Sequence, residues 1–140
     1  MTDRSILAWL ASVARCEAPD APIAFPNEPT SASFESAPVA LEVFCSGREY
    51  YRDTEDGTVA NAIGSVVLNG DQNAGAARLD ELAERLTRAF APSAGFSTRA
   101  ETGTTARVYS TRVERSESGL YNRKYKITIF VTLDIYEDKE

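Results

Sequence analysis

The final third of the chain, Ala106 to Glu140, constrains the fold most. It reads as two long strands joined by a short polar turn. In the second strand, Tyr121, Tyr125, Ile127, Ile129, Val131, Leu133 and Ile135 share one parity. A period of two places them on one face. The other parity carries Asn122, Lys124, Lys126, Thr128, Thr132 and Asp134, with Phe130 as an apolar exception. Such a strand exceeds the usual ~3–10 residues. It is expected to be the spine of a sheet, or to project and pair with another chain.

The rest of the chain offers no comparable signal for catalysis. There are no histidines among its 140 residues. That removes the commonest general base, the Ser-His and Cys-His nucleophile pairs and most zinc sites. The length suits one domain over residues 1–140, large enough for its own core. A net charge of −6 disfavours general adhesion to nucleic acid or to an anionic membrane. Cys16 and Cys45 are the only cysteines, which gives no disulfide framework and no CxxC pair. Both are expected to be buried thiols in a reducing compartment. No signal-peptide pattern opens the chain, and no apolar run nears ~18 residues. The expected location is the cytosol, or a particle assembled there.

Thr2 to Arg15 predicts a helix. Thr2 can cap it, Asp3 suits its positive end, and Ile6, Leu10 and Val13 repeat at helical spacing. Pro19 to Pro38 is proline-rich and predicts an extended strap, pinned to the core by Ile23 and Phe25. Val39, Leu41, Val43 and Cys45 alternate with polar or small residues, a strand pattern. Gly47 to Gly57, GREYYRDTEDG, is expected to be a charged loop. Thr58 to Leu68 predicts a weaker strand, because Ala62 and Gly64 lower strand propensity. Asn69-Gly70-Asp71 is a turn signal.

Asn73 to Ala91 gives the clearest helical pattern, with Leu79, Leu82, Ala83, Leu86 and Phe90 on one stripe. Glu81 with Arg85, and Glu84 with Arg88, are favourably ordered pairs on its solvent side. Pro92 ends it. Ala94 to Thr105 reads as a long loop. Ala106 to Arg115 alternates either around Val108 or around Tyr109 and Val113, and its buried face is ambiguous. Ser116 to Gly119 is the turn into the last strand. The expected fold is α+β: a mainly antiparallel four-stranded sheet, packed by two helices on one face, with a long hairpin and extended loops.

Three clusters carry residues suited to chemistry. Asp53, Glu55 and Asp56 offer oxygen ligands, but the EF-hand spacing is absent, and a solvated loop accounts for them. Gly70 to Gly75 lacks the lysine of a phosphate-binding loop, and helix capping by Asp71 or Asn73 accounts for it. Arg112, Arg115, Arg123, Lys124 and Lys126 gather with Tyr109, Tyr121 and Tyr125 around the last hairpin. Basic and aromatic residues together can bind single strands. Alternating charge also keeps an exposed hairpin soluble, and that reading is preferred. Tyr50 and Tyr51 stand out as aromatics suited to a protein contact. No catalytic residue, metal site or cofactor is expected.

The layout of the chain resembles the tail terminator proteins of long-tailed bacteriophages, the lambda-like minor tail proteins that cap the tail tube. The resemblance rests on the first helix with Ile6 to Val13, the strap motif Ile23-Ala24-Phe25-Pro26-Asn27-Glu28-Pro29, and the strand Ala37 to Val43. It continues in GDQNAGAARLDELAERLTRAF, Gly70 to Phe90, and in the closing hairpin with ITIFVTLDIY, Ile127 to Tyr136. These are short, soft motifs spread over most of the chain. Thr58 to Leu68 fits least well.

The resemblance implies a structural virion protein at the tail-neck junction, assembled in the host cytoplasm. It implies a homohexameric ring that ends tube polymerisation, contacts the tail tube protein and the head-completion or neck proteins, and lets genomic DNA pass without specific binding. Expected tail, neck or lumen contacts are Tyr50, Tyr51, Arg52, Asp53, Glu55, Asp56, Arg99 and Glu101. Expected inter-subunit contacts are Arg112, Arg115, Tyr121, Arg123 and Tyr125. The alternatives are another neck or tail ring, or a small ligand-binding domain.

Overall fold

The computed structural model describes residues 3–26, 28, 37–53, 57–71, 76–92, 95–97, 104–117 and 124–138; within these, side chains are described except at 47–53, 58, 71, 76, 95–97, 116–117, 124–125 and 138. The elements are α1 (Asp3–Glu17), β1 (Ile23–Ala24), β2 (Val39–Asp53), β3 (Gly57–Asp71), α2 (Ala76–Ala89), β4 (Gly95–Ser97), β5 (Thr104–Glu117) and β6 (Lys124–Asp138). The strands form one six-stranded sheet in the order β1-β2-β3-β6-β5-β4. No helix among the described residues is long and apolar enough to cross a membrane.

The α+β class holds, but the four-stranded antiparallel sheet is corrected. The four long strands are antiparallel neighbours. Two short strands extend them. β4 pairs antiparallel with β5. β1 pairs parallel with β2 through Ile23 opposite Leu41, so the sheet is mixed. The strap makes this possible because Pro22 still has a carbonyl, which accepts from the Leu41 N–H at 2.9 Å.

One face of the sheet carries the core. Leu41 lies beside Leu68, which lies beside Ile127; Val43, Val66, Ile129 and Val113 form the next row. The parity expected of the last strand holds from Ile127 onward, where Ile127, Ile129, Val131, Leu133 and Ile135 are all buried. Both helices pack on this face. α1 contributes Ile6, Leu10, Ala11 and Ala14, and α2 contributes Leu79, Leu82, Ala83 and Leu86, with Phe90 just beyond it. The helices also meet one another. The Trp9 and Phe90 rings stand edge to face at 5.3 Å, and Arg85 lies 3.7 Å from Glu17.

The small residues that weakened β3 on paper are what seat the helices. A Cβ at Gly64 would lie 2.8 Å from the Leu10 Cδ1, and one at Gly70 would lie 3.0 Å from the Leu79 Cδ2. β3 is thus the central strand, paired along its length with β2 and β6.

Two bulges correct the expected charged loop at Gly47 to Gly57. The β2 ladder runs on to Asp53, with register shifts between Ser46 and Glu49 and between Tyr50 and Arg52. Each shift inserts an extra residue, breaks the alternation and increases the local twist. A third bulge falls between Val108 and Ser110 in β5. It resolves the ambiguous parity: the extra residue lets Val108 and Val113 share the helix side while Tyr109 stays 66% exposed. The loop expected at Ala94 to Thr105 is also interrupted, by β4 and by the start of β5 at Thr104.

The cysteines are free, as expected, but neither is buried: Cys16 is exposed and Cys45 half-exposed. Cys16 lies on the outer side of α1. Cys45, beside Gly64 on the helix side, lies under the first turn of α1, its thiol 3.9 Å from Asp3.

Asn69 is the polar residue whose burial matters most to β2–β3 pairing. It is buried on the side away from the helices. Its amide donates to Glu42 Oε1 at 2.9 Å and to the Ala40 carbonyl at 3.4 Å. Replacing Asn69 with alanine removes both bonds and is expected to cost about 1–2 kcal/mol, read as a lower urea midpoint with an unchanged slope.

Candidate interaction surface

Both helices lie on one face, and among the described residues the middle rows of the other face are exposed. Its rows follow from the register. Phe44, Ser65, Phe130 and Arg112 form one row across β2, β3, β6 and β5, and Ser46, Ile63, Thr132 and Ser110 form the next. Phe44 and Phe130 therefore flank Ser65 from the neighbouring strands, and Ile63, two residues before Ser65 on β3, is diagonal to both rings. Phe44 is 39% and Ile63 44% exposed. Phe130, the apolar exception in the sequence pattern, is half-covered by Arg112, whose guanidinium lies 4.7 Å from the ring centroid. Glu114 sits 3.4 Å from the same guanidinium. Tyr136 adds a further exposed aromatic on this face. The surface is an apolar centre with charges of both signs beside it.

Of the expected inter-subunit residues, Arg112 lies on this face and Arg115 does not. Arg115 is on the helix side, where its Nε donates to Asp80 Oδ1 of α2 at 3.1 Å. Both side chains of that pair remain well exposed, so the bond is worth little by itself. Arg112→Ala removes a cation–π contact and an exposed ion pair. It is expected to cost about 0.5–1 kcal/mol, a small shift of the thermal midpoint. The remaining inter-subunit residues, Tyr121, Arg123 and the Tyr125 side chain, lie outside the described residues, although Tyr125 pairs through its backbone with Gly70 and Glu117.

The topology also places the ends of the strands. Asp53, Gly57, Ser97, Thr104 and Asp138 all terminate strands at one end of the sheet, as the pairs Asp53 with Thr58, Gly57 with Asp138, Ser97 with Thr105 and Thr104 with Glu137 require. Val39, Asp71, Glu117 and Lys124 terminate strands at the other end. Tyr50, Tyr51, Arg52 and Asp53 belong to the last turns of the β2 ladder. The side chains of all four, and Glu55, Asp56, Arg99 and Glu101 entirely, lie outside the described residues. So does the Asp53, Glu55 and Asp56 trio considered for calcium.

Reading single strands one at a time missed the open face. A signal for it was present: Phe44, Ile63 and Phe130 each break the polar side of their strand. Without the register, three isolated exceptions do not add up to a patch.

No protein-family model matches the chain, and no curated protein matches it. Solved structures do. A chain of the virion of a native gene transfer agent (GTA) particle superposes with a TM-score of 0.58 at 13% identity, covering 89% of this chain and 85% of its own. A second solved chain superposes with a TM-score of 0.61 at 14% identity, covering 99% of this chain and 92% of its own. At such identities the likeness is one of fold.

Proposed function

We propose that the chain is a structural subunit of a virion particle, and within it the ring that caps the tail tube. The observation that carries this reading is the correspondence, nearly end to end in both chains, with a chain of the gene transfer agent virion. The sequence resemblance to tail terminators points the same way. The protein acts by assembly and catalyses no reaction.

The physical form of the subunit suits a ring. Helices thicken one face of the sheet by about 10 Å, so copies packed side by side bend away from them. The open face then turns toward the channel. Its charges are mixed, and the chain as a whole carries −6, which lets DNA pass without being gripped. The two ends of the sheet become the two flat faces of the ring. One end holds Asp53, Glu137 and Asp138, and the other Asp71, Glu117, Lys124 and Lys126. The end at which β2 closes with Asp53 meets the tail tube or the neck, and the opposite end meets the other partner.

Electron microscopy of particles made without this chain tests the assignment. Overlong tail tubes support the cap. Heads without tails, or an absence of tubes, would reassign the chain to another ring of the same particle. Normal particles would remove it from the virion.

A further inference from the structure

We infer that, outside the ring, two copies of this chain dock through the exposed face of the sheet, face to face about a two-fold axis. The dimer does not rest on the ring reading. Where that reading holds, the same face turns toward the channel, so dimer and ring exclude each other. The face is more apolar than contact with water alone calls for. Phe44 is 39%, Ile63 44% and Tyr136 48% exposed, and Phe130 shares the row of Phe44. The solvated side of an antiparallel sheet ordinarily alternates to polar residues. Clustered apolar side chains with a polar rim mark an interaction site.

The charges select a second copy as the partner. The chain as a whole carries −6, yet the described residues of this face are balanced. Arg107, Arg112 and Lys126 stand against Glu42, Glu114 and Asp134. Such a face suits a copy of itself better than a strongly acidic or basic partner. Their placement is also symmetric. Phe130 lies midway between Lys126 and Asp134 on β6, and the three share one side of the strand. Neither Lys126 nor Asp134 has an ion pair among the described residues. A two-fold axis that lies in the plane of contact and crosses β6 at Phe130 sets the two β6 strands antiparallel. Lys126 of each copy then faces Asp134 of the other. The Phe130 rings meet at the centre, and each Phe44 meets its counterpart. Each Ile63 meets Val67 of the other copy, because the rows of Ile63 and Val67 lie one step to either side of the Phe130 row. The Arg112 guanidiniums also approach each other, but each arrives with Glu114 at 3.4 Å. A contact of this kind is isologous. Four strands about 4.8 Å apart, over the run from Lys126 to Asp134 at about 3.3 Å per residue, outline about 500 Å² on each copy. Two such faces give about 1,000 Å², the lower bound for a specific contact. The dimer is therefore weak, and a larger assembly can displace it.

Sedimentation velocity over a concentration series tests the inference. The native protein is expected to pass from monomer to dimer as its concentration rises. Ile63→Asp puts a carboxylate into the apolar centre at an exposed position. Circular dichroism should show its fold kept, and sedimentation a dimer weakened about tenfold or more. Lys126→Glu and Asp134→Lys each set like charges face to face, twice in every dimer, and each should weaken it. The double variant Lys126→Glu/Asp134→Lys should restore it. That rescue separates the antiparallel two-fold contact from a looser apolar association. A native protein that stays monomeric throughout, or that passes to six subunits without a dimer, overturns the inference. So does an Ile63→Asp variant that keeps its fold and dimerises as the native protein does, or a double variant no better than the two single ones. If Ile63→Asp unfolds the chain, the charge exchange decides. A six-subunit species, with or without the tail tube protein, reports on the ring reading separately, and its absence leaves the dimer standing.

Discussion

Phe90→Ala is expected to destabilise the protein by about 3–5 kcal/mol. Phe90 is fully buried although it stands just beyond α2, held there by its N–H donating to the Leu86 carbonyl at 2.9 Å. Its ring fills the space between the two helices and meets Trp9 edge to face. Such an aromatic pair adds about 0.5–1.5 kcal/mol beyond the buried area. Alanine leaves a cavity where the two helices meet. A domain of ordinary stability holds only about 5–15 kcal/mol in total, so the loss is a large share of it. Trp9 is the only tryptophan, which makes its fluorescence a direct reporter of this junction. Urea unfolding followed by that signal should show the shift. A loss below about 1 kcal/mol would mean that the helices do not dock through Phe90.

The second large effect is at the seat of α1. Leu10→Ala should cost about 2–5 kcal/mol, as large-to-small changes at fully buried leucines do. Gly64→Val should also destabilise, by about 1–3 kcal/mol, because its side chain enters space that Leu10 occupies. Together the two changes should cost less than the sum, since the valine fills what the leucine vacates. The expected coupling is about 0.5–3 kcal/mol. Strict additivity would show that α1 does not rest on Gly64, and the account of β3 as the helix seat would fail.

How much of this was legible in the sequence depended on whether the signal was local. The period of two in Ile127 to Ile135 needed no partner to be read, and it holds. The helical stripes Ile6-Leu10 and Leu79-Leu82-Leu86 were equally self-contained. Propensity treats a strand in isolation and makes Gly64 and Ala62 a weakness; the gain from a helix packing closely against Gly64 comes from another part of the chain. The bulge beside Tyr109 hid the face of β5, because one inserted residue reverses parity and a periodic reading has no place for it. The bulges in β2 did the same to Gly47 to Asp53, whose charges then looked like a loop. Two residues of β1 pairing in parallel across the strap carry no periodic signal. Free cysteines are commonly buried, but the outer side of α1 leaves Cys16 exposed and Cys45 takes a half-covered strand position.

The candidate surface was less legible than the fold. Arg112 was picked out for its charge and hairpin setting, and it does lie on the open face beside Phe130. Arg115 was picked out for the same reason, but it faces α2 and Asp80. Neighbours three residues apart in a strand point to opposite faces, and composition does not distinguish them. Asp53, expected at the tube or neck, shares one end of the sheet with Ser97 and Asp138 only because the strand pairings bring the ends of β2, β4 and β6 to the same side as the starts of β3 and β5.

Native mass spectrometry of the purified protein, alone and then mixed with its tail tube protein, tests the ring most directly. The account predicts a six-subunit species in at least one of the two samples. A strict monomer in both would contradict it, leaving the fold in place without the assembly proposed for it.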